Sequence, residues 1–161
     1  MSDAHAIRDA RPEDVSALLG LVHELAVYER LDHLVTATEA EYREALFGPA
    51  AHARAALAFA DGEAVGYMVW FHSFSTFRAR SKIYLEDLYV RPSQRGRGIG
   101  KALLAELARR ALAAGIQRVQ WQVLDWNTPA IDFYRRLGAE VESQWLSCTL
   151  DGAHLEALAR G

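Results

Sequence analysis

The sequence has only one cysteine, Cys148, among its 161 residues. A single cysteine cannot form a disulfide within the chain and cannot supply a zinc site by itself. The longest apolar run, residues 55–60, is far shorter than the roughly 20 residues that a membrane-spanning helix needs. The opening segment MSDAHAIRDARPED has neither the basic nor the apolar part of a secretory signal. We therefore expect a cytoplasmic protein with no membrane partner.

Positive charge is also in short supply. Lys and Arg number 18 against 21 Asp and Glu, which gives a net charge of −3 and argues against a general nucleic-acid-binding protein. No metal site is predicted, because metal-ligand spacing is missing between His23, His33, His52 and His72. The chain has no internal repeat, low-complexity tract or Pro/Ser-rich linker, so residues 1–161 are predicted to form a single domain.

The hydrophobic period changes along the chain. Helical spacing follows Pro12 through residue 28, and the capping box of residues 38–41 begins a second helix that ends at Gly48. Strand patterns follow at residues 54–60, 64–71, 82–90, 119–123 and 145–150, with Asp61-Gly62 as a hairpin turn and Cys148 in the core of the last strand. Helical patterns at 98–114 and 128–137 separate the later strands. This order predicts an α/β fold in which helices flank a mixed sheet.

A glycine-rich loop, Gln94-Arg95-Gly96-Arg97-Gly98-Ile99-Gly100-Lys101, joins a predicted strand to a predicted helix. Glycines let a backbone approach a ligand closely, and the first N–H groups of a helix point outward without an internal partner, so the loop suits a pyrophosphate. A dinucleotide fingerprint would need a third glycine where Lys101 stands. A P-loop would need glycine at Arg95 and Ser or Thr at Ala102. A plain strand-to-helix turn is the structural alternative.

The loop fits the pattern Arg/Gln-x-x-Gly-x-Gly and resembles the coenzyme A pyrophosphate loop of the GCN5-related N-acetyltransferase (GNAT) superfamily. Two longer strings accompany it at family spacing: Ile-Tyr-Leu-Glu-Asp-Leu-Tyr-Val at 83–90 and Leu-Asp-Trp-Asn-Thr-Pro-Ala-Ile-Asp-Phe-Tyr at 124–134. Together with Glu-Leu-Ala-Val-Tyr-Glu at 24–29, they are similar to the diamine and thialysine N-acetyltransferase branch. The resemblance implies a GNAT-like mixed, splayed β-sheet flanked by helices.

The resemblance also implies acetyl-CoA as co-substrate and a set of residues that hold it. The backbone of one strand would pair with the pantetheine, the loop would bind the pyrophosphate, and a helix start would contact the cofactor from the other side. In that order, the implied residues are Leu88, Tyr89 and Val90; Arg95, Gly96, Arg97, Gly98, Ile99, Gly100 and Lys101; and Asn127, Thr128, Pro129 and Ala130.

Two residues match the catalytic positions of the family. Tyr134 matches the tyrosine that protonates the leaving thiolate, and a phenol, with an ordinary pKa of about 10, is protonated at neutral pH and can serve as this acid. Glu86 matches the carboxylate that accepts the proton of the amine. Asp87 follows Glu86 on a strand, so we expect their side chains on opposite faces. Packing for Tyr134 and an ordinary sheet-edge carboxylate for Glu86 are the structural alternatives.

The resemblance places Tyr28, Glu29, Glu86 and Asp87 at the amine substrate, although Tyr28 and Glu29 also suit a plain helix end. The polyamine-specific members carry acids before the catalytic strand, whereas this chain has Arg78, Arg80 and Lys82. We therefore expect a lysine-like or thialysine-like amine rather than spermine, with Arg78 or Arg80 meeting its carboxylate. Direct transfer in a ternary complex and a homodimer are expected. A GNAT enzyme acting on a protein N-terminus or an aminoglycoside, and a non-catalytic acyl-CoA-binding module, stay open as alternatives.

Overall fold

A computed structural model describes residues 5–161. The first four residues, which belong to the stretch without a signal pattern, lie outside the described part. The chain separates into two compact units, the first ending at Gln122 and the second beginning at Val123.

The first unit is built on a five-stranded sheet. Its strands are β1 (Ala6–Asp9), β2 (Arg54–Ala60), β3 (Glu63–Ser75), β4 (Arg80–Val90) and β5 (Val119–Gln120). They lie side by side in chain order; the first four run antiparallel, and β5 runs parallel to β4. The helices of this unit are α1 (Val15–Glu29), α2 (Glu39–Phe47) and α3 (Ile99–Ala113). The mixed α/β architecture predicted from the sequence is confirmed.

Helices cover both faces of this sheet. On one face, which we call the α3 face, a stripe at four-residue spacing packs against the strands: Ile99, Leu103, Leu107 and Ala111. On the opposite face, the α1 face, Leu18 and Leu21 pack with Leu57, Tyr67 and Tyr89, and Tyr42 and Leu46 of α2 lie at the margin. Each fully buried large side chain stabilises the unit by about 1.5–3 kcal/mol. The site described below is anchored in this double core.

Short-range signals in the sequence form as predicted. Asp61 and Gly62 both have positive φ, 51° and 83°, as the tight turn of a two-residue hairpin requires. Thr38 and Glu41 exchange the two hydrogen bonds of a capping box at the start of α2. Strand β1, which no pattern predicted, pairs with β2 at the edge of the sheet.

Strand β5 leaves the sheet after two residues. It pairs Val119 with Ile83 and Gln120 with Tyr84, whereas β4 continues to Val90. Within the described part of the first unit, the stretch of β4 from Leu85 onward therefore has a strand partner only on the β3 side. This divergence is the splay that the family resemblance implies, and it shortens the strand predicted for residues 119–123.

The second unit contains α4 (Thr128–Arg136) and α5 (Gly152–Arg160). The strand predicted over residues 145–150 is wrong for this structure, since no strand forms among residues 123–161, all of which are described. Trp145 and Leu146 are 79% and 89% exposed, and Cys148 is exposed rather than part of a core. Alternating apolar residues become a strand only against a paired edge, and this unit supplies none.

Candidate active site

The glycine loop leads directly into the first turn of α3. Gly96 and Gly98 have φ of 78° and 81°, a left-handed conformation that side chains other than glycine rarely adopt. The first hydrogen bond of the helix runs from the Ala102 N–H to the Gly98 carbonyl at 2.9 Å, so the preceding N–H groups of the turn have no acceptor inside the helix. Ile99 is 2% exposed and anchors this turn in the α3 face. The loop has the geometry of an anion-binding site.

Arg95 and Arg97 of the loop are exposed and each makes a side-chain contact. The Arg95 Nε donates to the Val90 carbonyl at 2.9 Å, and its guanidinium lies 4.9 Å from the ring centroid of Tyr28. Arg97 contacts the Gln94 side chain. Arg95 therefore connects the loop to the end of α1. It was predicted to bind the cofactor, and its neighbour Tyr28 was predicted to contact the substrate.

The backbone of β4 is available on the side where β5 diverges. In an antiparallel pair, alternate residues direct their N–H and C=O groups away from the partner strand. Leu88, Tyr89 and Val90 pair with Met68, Tyr67 and Gly66 of β3 on the other side. The open edge of β4 is therefore suited to an extended ligand that adds to the sheet as a strand would.

Strand β4 contains a bulge at Glu86. Val69 pairs with Asp87, but the next residue of β3, Trp70, pairs with Leu85, which leaves Glu86 as the extra residue. Leu85 and Leu88 both pack on the α3 face, whereas Asp87 bonds to Tyr67 on the α1 face. Alternation is therefore broken between Leu85 and Asp87, and the opposite faces expected for Glu86 and Asp87 stay a prediction. A bulge re-aims a side chain, and this one lies at the residue predicted to be the catalytic base.

Four residues from four elements meet on the α1 face, and we call them the acid–tyrosine cluster: Glu29 of α1, Tyr42 of α2, Tyr67 of β3 and Asp87 of β4. Tyr67 is fully buried and its hydroxyl donates to Asp87 Oδ2 at 3.0 Å. Burial raises the pKa of Asp87, the Tyr67 hydrogen bond lowers it, and the charge of Glu86 raises it. The net direction is upward.

The pKa values of Glu29 and Tyr42 are raised as well. Burial raises the pKa of Glu29, and the nearby Asp87 raises it further. Burial also raises the pKa of Tyr42, with additions from Asp87 and Glu86. The structure therefore brings together three of the four residues predicted at the substrate, Glu29, Glu86 and Asp87, and adds Tyr42 and Tyr67, for which the sequence carried no local signal. Removal from water makes a concentrated negative charge unfavourable unless a cation joins it.

The end of α1 forms the border of this cluster. Arg91 makes a two-pronged contact with Glu24, with nitrogen–oxygen distances of 2.9–3.1 Å, and the Tyr89 hydroxyl donates to the same carboxylate at 3.3 Å. These bonds fasten α1 to the end of β4. Glu29 and Tyr28 follow Glu24 on this helix, so the ion pair fixes the element that carries both.

The basic residues around the start of β4 lie away from the acid–tyrosine cluster. Arg78, Arg80 and Lys82 line a groove of about 660 Å³ with Gln117 and Arg118, beyond the end of α3. Six residues of extended strand separate Arg80 from Glu86, about 20 Å at 3.3 Å per residue. A lysine-like amino acid is shorter than that. The structure therefore does not support the contact expected between Arg78 or Arg80 and the carboxylate of an amine held at Glu86.

The second unit carries the remaining predicted residues on α4. Asn127 is 8% exposed, and its side chain accepts a hydrogen bond from the Ala130 N–H at 3.4 Å, which makes it the N-cap of a helix whose first turn is Thr128, Pro129 and Ala130. Tyr134 is also 8% exposed, with its ring centroid 5.3 Å from that of Phe133. These geometries explain a structural role for Asn127 and leave the chemical roles of both residues as predictions.

Metal sites and membrane-spanning helices can also be assessed over the described residues. Between His5 and Gly161, no group of three or more His, Cys, Asp or Glu side chains is arranged to hold a metal ion. In the same part of the chain, no helix combines the length and apolar character needed to cross a membrane.

Comparison with known proteins agrees with this geometry. Residues 19–139 match the acetyltransferase (GNAT) family. The thialysine N-epsilon-acetyltransferase of Mus musculus is 38% identical over 95% of this chain and 96% of its own length. The L-ornithine N5-acetyltransferase of Arabidopsis thaliana is 31% identical over 94% of this chain and 86% of its own. A solved integron cassette protein from V. cholerae has a TM-score of 0.80 at 26% identity and covers 100% of this chain and 99% of that one.

The chain therefore belongs to the GNAT family of acetyltransferases. It is an N-acetyltransferase whose relatives act on small amines, and members of this family use acetyl-CoA as co-substrate. The family resemblance seen in the sequence and the predicted fold class are confirmed. The roles of the individual site residues stay predictions.

Proposed function

We propose that this enzyme transfers the acetyl group of acetyl-CoA to the primary amine of a short lysine-like or thialysine-like amino acid or a diamine, directly within a ternary complex. The observation that carries the proposal is the convergence of Glu29 and Asp87 beside Glu86, where burial and mutual repulsion raise the pKa of the first two carboxyls. An ammonium group is the ligand that relieves this repulsion. The names of the thialysine and ornithine acetyltransferase relatives fit the same class.

The residues at the end of β4 suit acetyl-CoA, which supplies the acetyl group and a thiolate leaving group when bound. The open β4 edge at Leu88, Tyr89 and Val90 would accept hydrogen bonds from, and donate them to, the amides of the pantetheine. The positive-φ glycines and the first turn of α3 would hold the pyrophosphate through N–H groups. The assignment of the start of α4 to the same ligand rests on the family resemblance of the sequence. Residues 19–139, which match the family, span both units. We accordingly propose that residues 1–161 form one acetyltransferase domain.

Glu86 would act as the base. A lysine-like amine has a pKa of about 10.4, so only about one molecule in a few thousand is free base at pH 7. Glu29 and Asp87 would hold the ammonium, and Glu86, exposed at the bulge, would accept its proton directly or through water. The freed nitrogen lone pair then forms the new C–N bond to the acetyl carbon.

Tyr134 would act as the acid. When the C–S bond breaks, the sulfur carries the electron pair, and a phenol is a suitable donor of the proton it takes up. The nitrogen loses two protons in all: Glu86 takes the first before attack, and the second leaves once the C–N bond has formed and restores the phenol of Tyr134, which has given its proton to sulfur. The products are an amide, a thiol and a protonated Glu86, which returns its proton to water.

A short amino-acid amine remains the favoured acceptor over spermine, although the reason changes. The acid–tyrosine cluster offers one compact site for one ammonium group. A long polyamine carries additional charges, and no described acid in residues 74–82 is present to meet them. We assign neither Arg78 nor Arg80 to the substrate carboxylate, because both line the groove beyond the end of α3.

A homodimer is part of the proposal. Three large apolar side chains near the C-terminus of the chain, Trp145, Leu146 and Leu150, are 79%, 89% and 46% exposed, and a second copy of the chain would cover them. Sedimentation of the protein should therefore give twice the mass of the chain, and Trp145→Ser should shift it to the monomer. A cytoplasmic location, with no nucleic-acid partner, stays a prediction from composition.

Thiol release from acetyl-CoA, measured against a panel of single amines, tests the activity. We expect turnover with thialysine, ornithine or lysine. Release that depends on no amine in such a panel, in a protein that still binds acetyl-CoA, would favour a non-catalytic acyl-CoA-binding module instead.

A further inference from the structure

The acid–tyrosine cluster contains a hydroxyl that the proposed mechanism does not use. Tyr67 lies on β3, two strands inward from the edge, and it is fully buried. Its hydroxyl donates to Asp87 Oδ2 at 3.0 Å, while its ring packs in the α1 face with Leu18, Leu21 and Leu57. A phenol in so apolar a place could be phenylalanine at no loss of packing, so the hydroxyl calls for an explanation.

We infer that Tyr67 is a positioning residue for the acceptor amine: its hydroxyl fixes one oxygen of Asp87, so that the other oxygen is presented to the ammonium group. The inference rests on the proposed function, because it assumes that Asp87 binds the amine. A carboxylate on a strand can turn about its own side-chain bonds, and one hydrogen bond from a buried, rigid ring removes that freedom.

The charges around Asp87 make this bond consequential. Glu86 faces it from its own strand, Glu29 from α1, and Tyr42 from α2. Neither Glu29 nor Glu86 forms an ion pair in the described part of the chain, so the groups facing Asp87 are acids and phenols. The hydrogen bond from the Tyr67 hydroxyl lowers the pKa of Asp87, whereas burial and the charge of Glu86 raise it. It therefore keeps Asp87 ionised, and able to attract an ammonium, to lower pH than the surroundings alone would permit.

In Tyr67→Phe the pKa of Asp87 should rise further, since the one lowering contact is gone. The acid limb of kcat/KM for the amine should then move to higher pH by about one pH unit, and at pH values on that limb the KM for the amine should rise about tenfold. The turnover number at saturating amine and the affinity for acetyl-CoA should change much less.

A matched variant controls for packing. Val65 lies on the same strand, is 3% exposed, and packs on the α3 face, so Val65→Ala loosens the core without touching a hydrogen bond. It should lower the melting temperature and leave the pH profile of the wild type in place. Tyr67→Phe should move the profile even if its melting temperature falls no further than that of Val65→Ala.

A second readout needs no activity. Because the folded-state pKa of Asp87 is raised, its ionisation weakens stability as pH rises from the unfolded value of about 3.9 toward the folded value, and Tyr67→Phe extends that loss. The difference in melting temperature between wild type and Tyr67→Phe should therefore widen as pH rises past the folded-state pKa of Asp87 in the wild type, and level off above that of the variant. An unmoved acid limb together with a constant difference would overturn the inference while amine acetylation stands. Failure of every amine to be acetylated, with the widening still present, would instead overturn the proposed function.

Discussion

Gly98 offers a sharp test of the loop, because the site uses its backbone and not a side chain. Its φ is 81° and its ψ is 0°, and a Cβ added there would meet no atom within 4 Å. An added methyl group therefore has room, and only the left-handed conformation opposes it. That conformation costs a residue other than glycine about 1–2 kcal/mol.

In Gly98→Ala this conformational cost should appear either as lower stability or as weaker binding of acetyl-CoA. If the loop keeps its shape, the melting temperature should fall by roughly 2–8 °C, at about 2–4 °C per kcal/mol for a chain of this size. If the loop relaxes, the N–H groups of the first turn of α3 leave their places, and acetyl-CoA should bind about 5- to 30-fold more weakly. Gly98→Val should show a larger loss, because a β-branched residue is a genuine outlier in this conformation.

Gly20 supplies the matched control. It lies in α1, a Cβ there also meets no atom within 4 Å, and its φ is not positive. Gly20→Ala should therefore stabilise the protein by about 0.5–1 kcal/mol and leave acetyl-CoA binding unchanged. Calorimetric titration with acetyl-CoA and thermal melts measure both quantities. If Gly98→Val kept the wild-type melting temperature and the wild-type affinity, the loop would not be the cofactor site described here.

Three further predictions concern single side chains. Tyr134→Phe should lower turnover by about 10²–10⁴-fold with little change in melting temperature or acetyl-CoA affinity; unchanged turnover, with chemistry limiting the rate, would reduce Tyr134 to a packing partner of Phe133. Glu86→Gln should lower kcat/KM for the amine, most strongly at low pH where free amine is scarcest, and an equal loss at every pH would argue against its role as base. Asp14 accepts two bonds from Arg8, at 2.6 and 2.9 Å, and one from the Arg11 N–H at 2.7 Å, and the Arg8 bond is the main reason its pKa is lowered. Asp14→Asn should therefore cost about 1–3 kcal/mol at pH 7, and melts should show that difference shrinking as pH falls below about 4; a constant difference would mean that the charge of Asp14 contributes nothing.

Local rules predicted the parts of the fold that depend on local interactions. The capping box at Thr38, the turn at Asp61-Gly62 and the end of β4 before Pro92 each require only a few neighbouring residues, and all three form. Strand β1 was missed because its four residues carry one large apolar side chain, Ile7, and it is held by pairing with β2 far along the chain.

Non-local effects account for the other differences. The bulge at Glu86 arises from the register between β3 and β4, which no short window of sequence contains. The contact of Tyr67 with Asp87 depends on that register. The strand predicted at residues 145–150 has the right alternation but lacks a partner edge in its unit. The helix α5, for which no sequence pattern was given, is supported by the i,i+4 pair Glu156 and Arg160.

The site itself was predictable to the extent that it follows a family motif. The motif residues Glu29, Glu86 and Asp87 come together as expected, whereas Tyr42 and Tyr67 belong to no motif and emerge only from packing. Arg78 and Arg80 show the reverse case. Their charge suggested a carboxylate partner, but the length of β4 separates the backbone of Arg80 from that of Glu86 by about 20 Å, and both arginines line the groove beyond the end of α3.

Internal competition among amines tests the central claim most directly. The enzyme is given acetyl-CoA and an equimolar mixture of thialysine, ornithine, lysine, spermidine and spermine, and each acetylated product is quantified by mass spectrometry at low conversion. The product ratios then equal the ratios of kcat/KM. We predict that the amino-acid products exceed acetylated spermine, and that Glu86→Gln lowers all of them. A clear excess of acetylated spermine would contradict the assigned acceptor class.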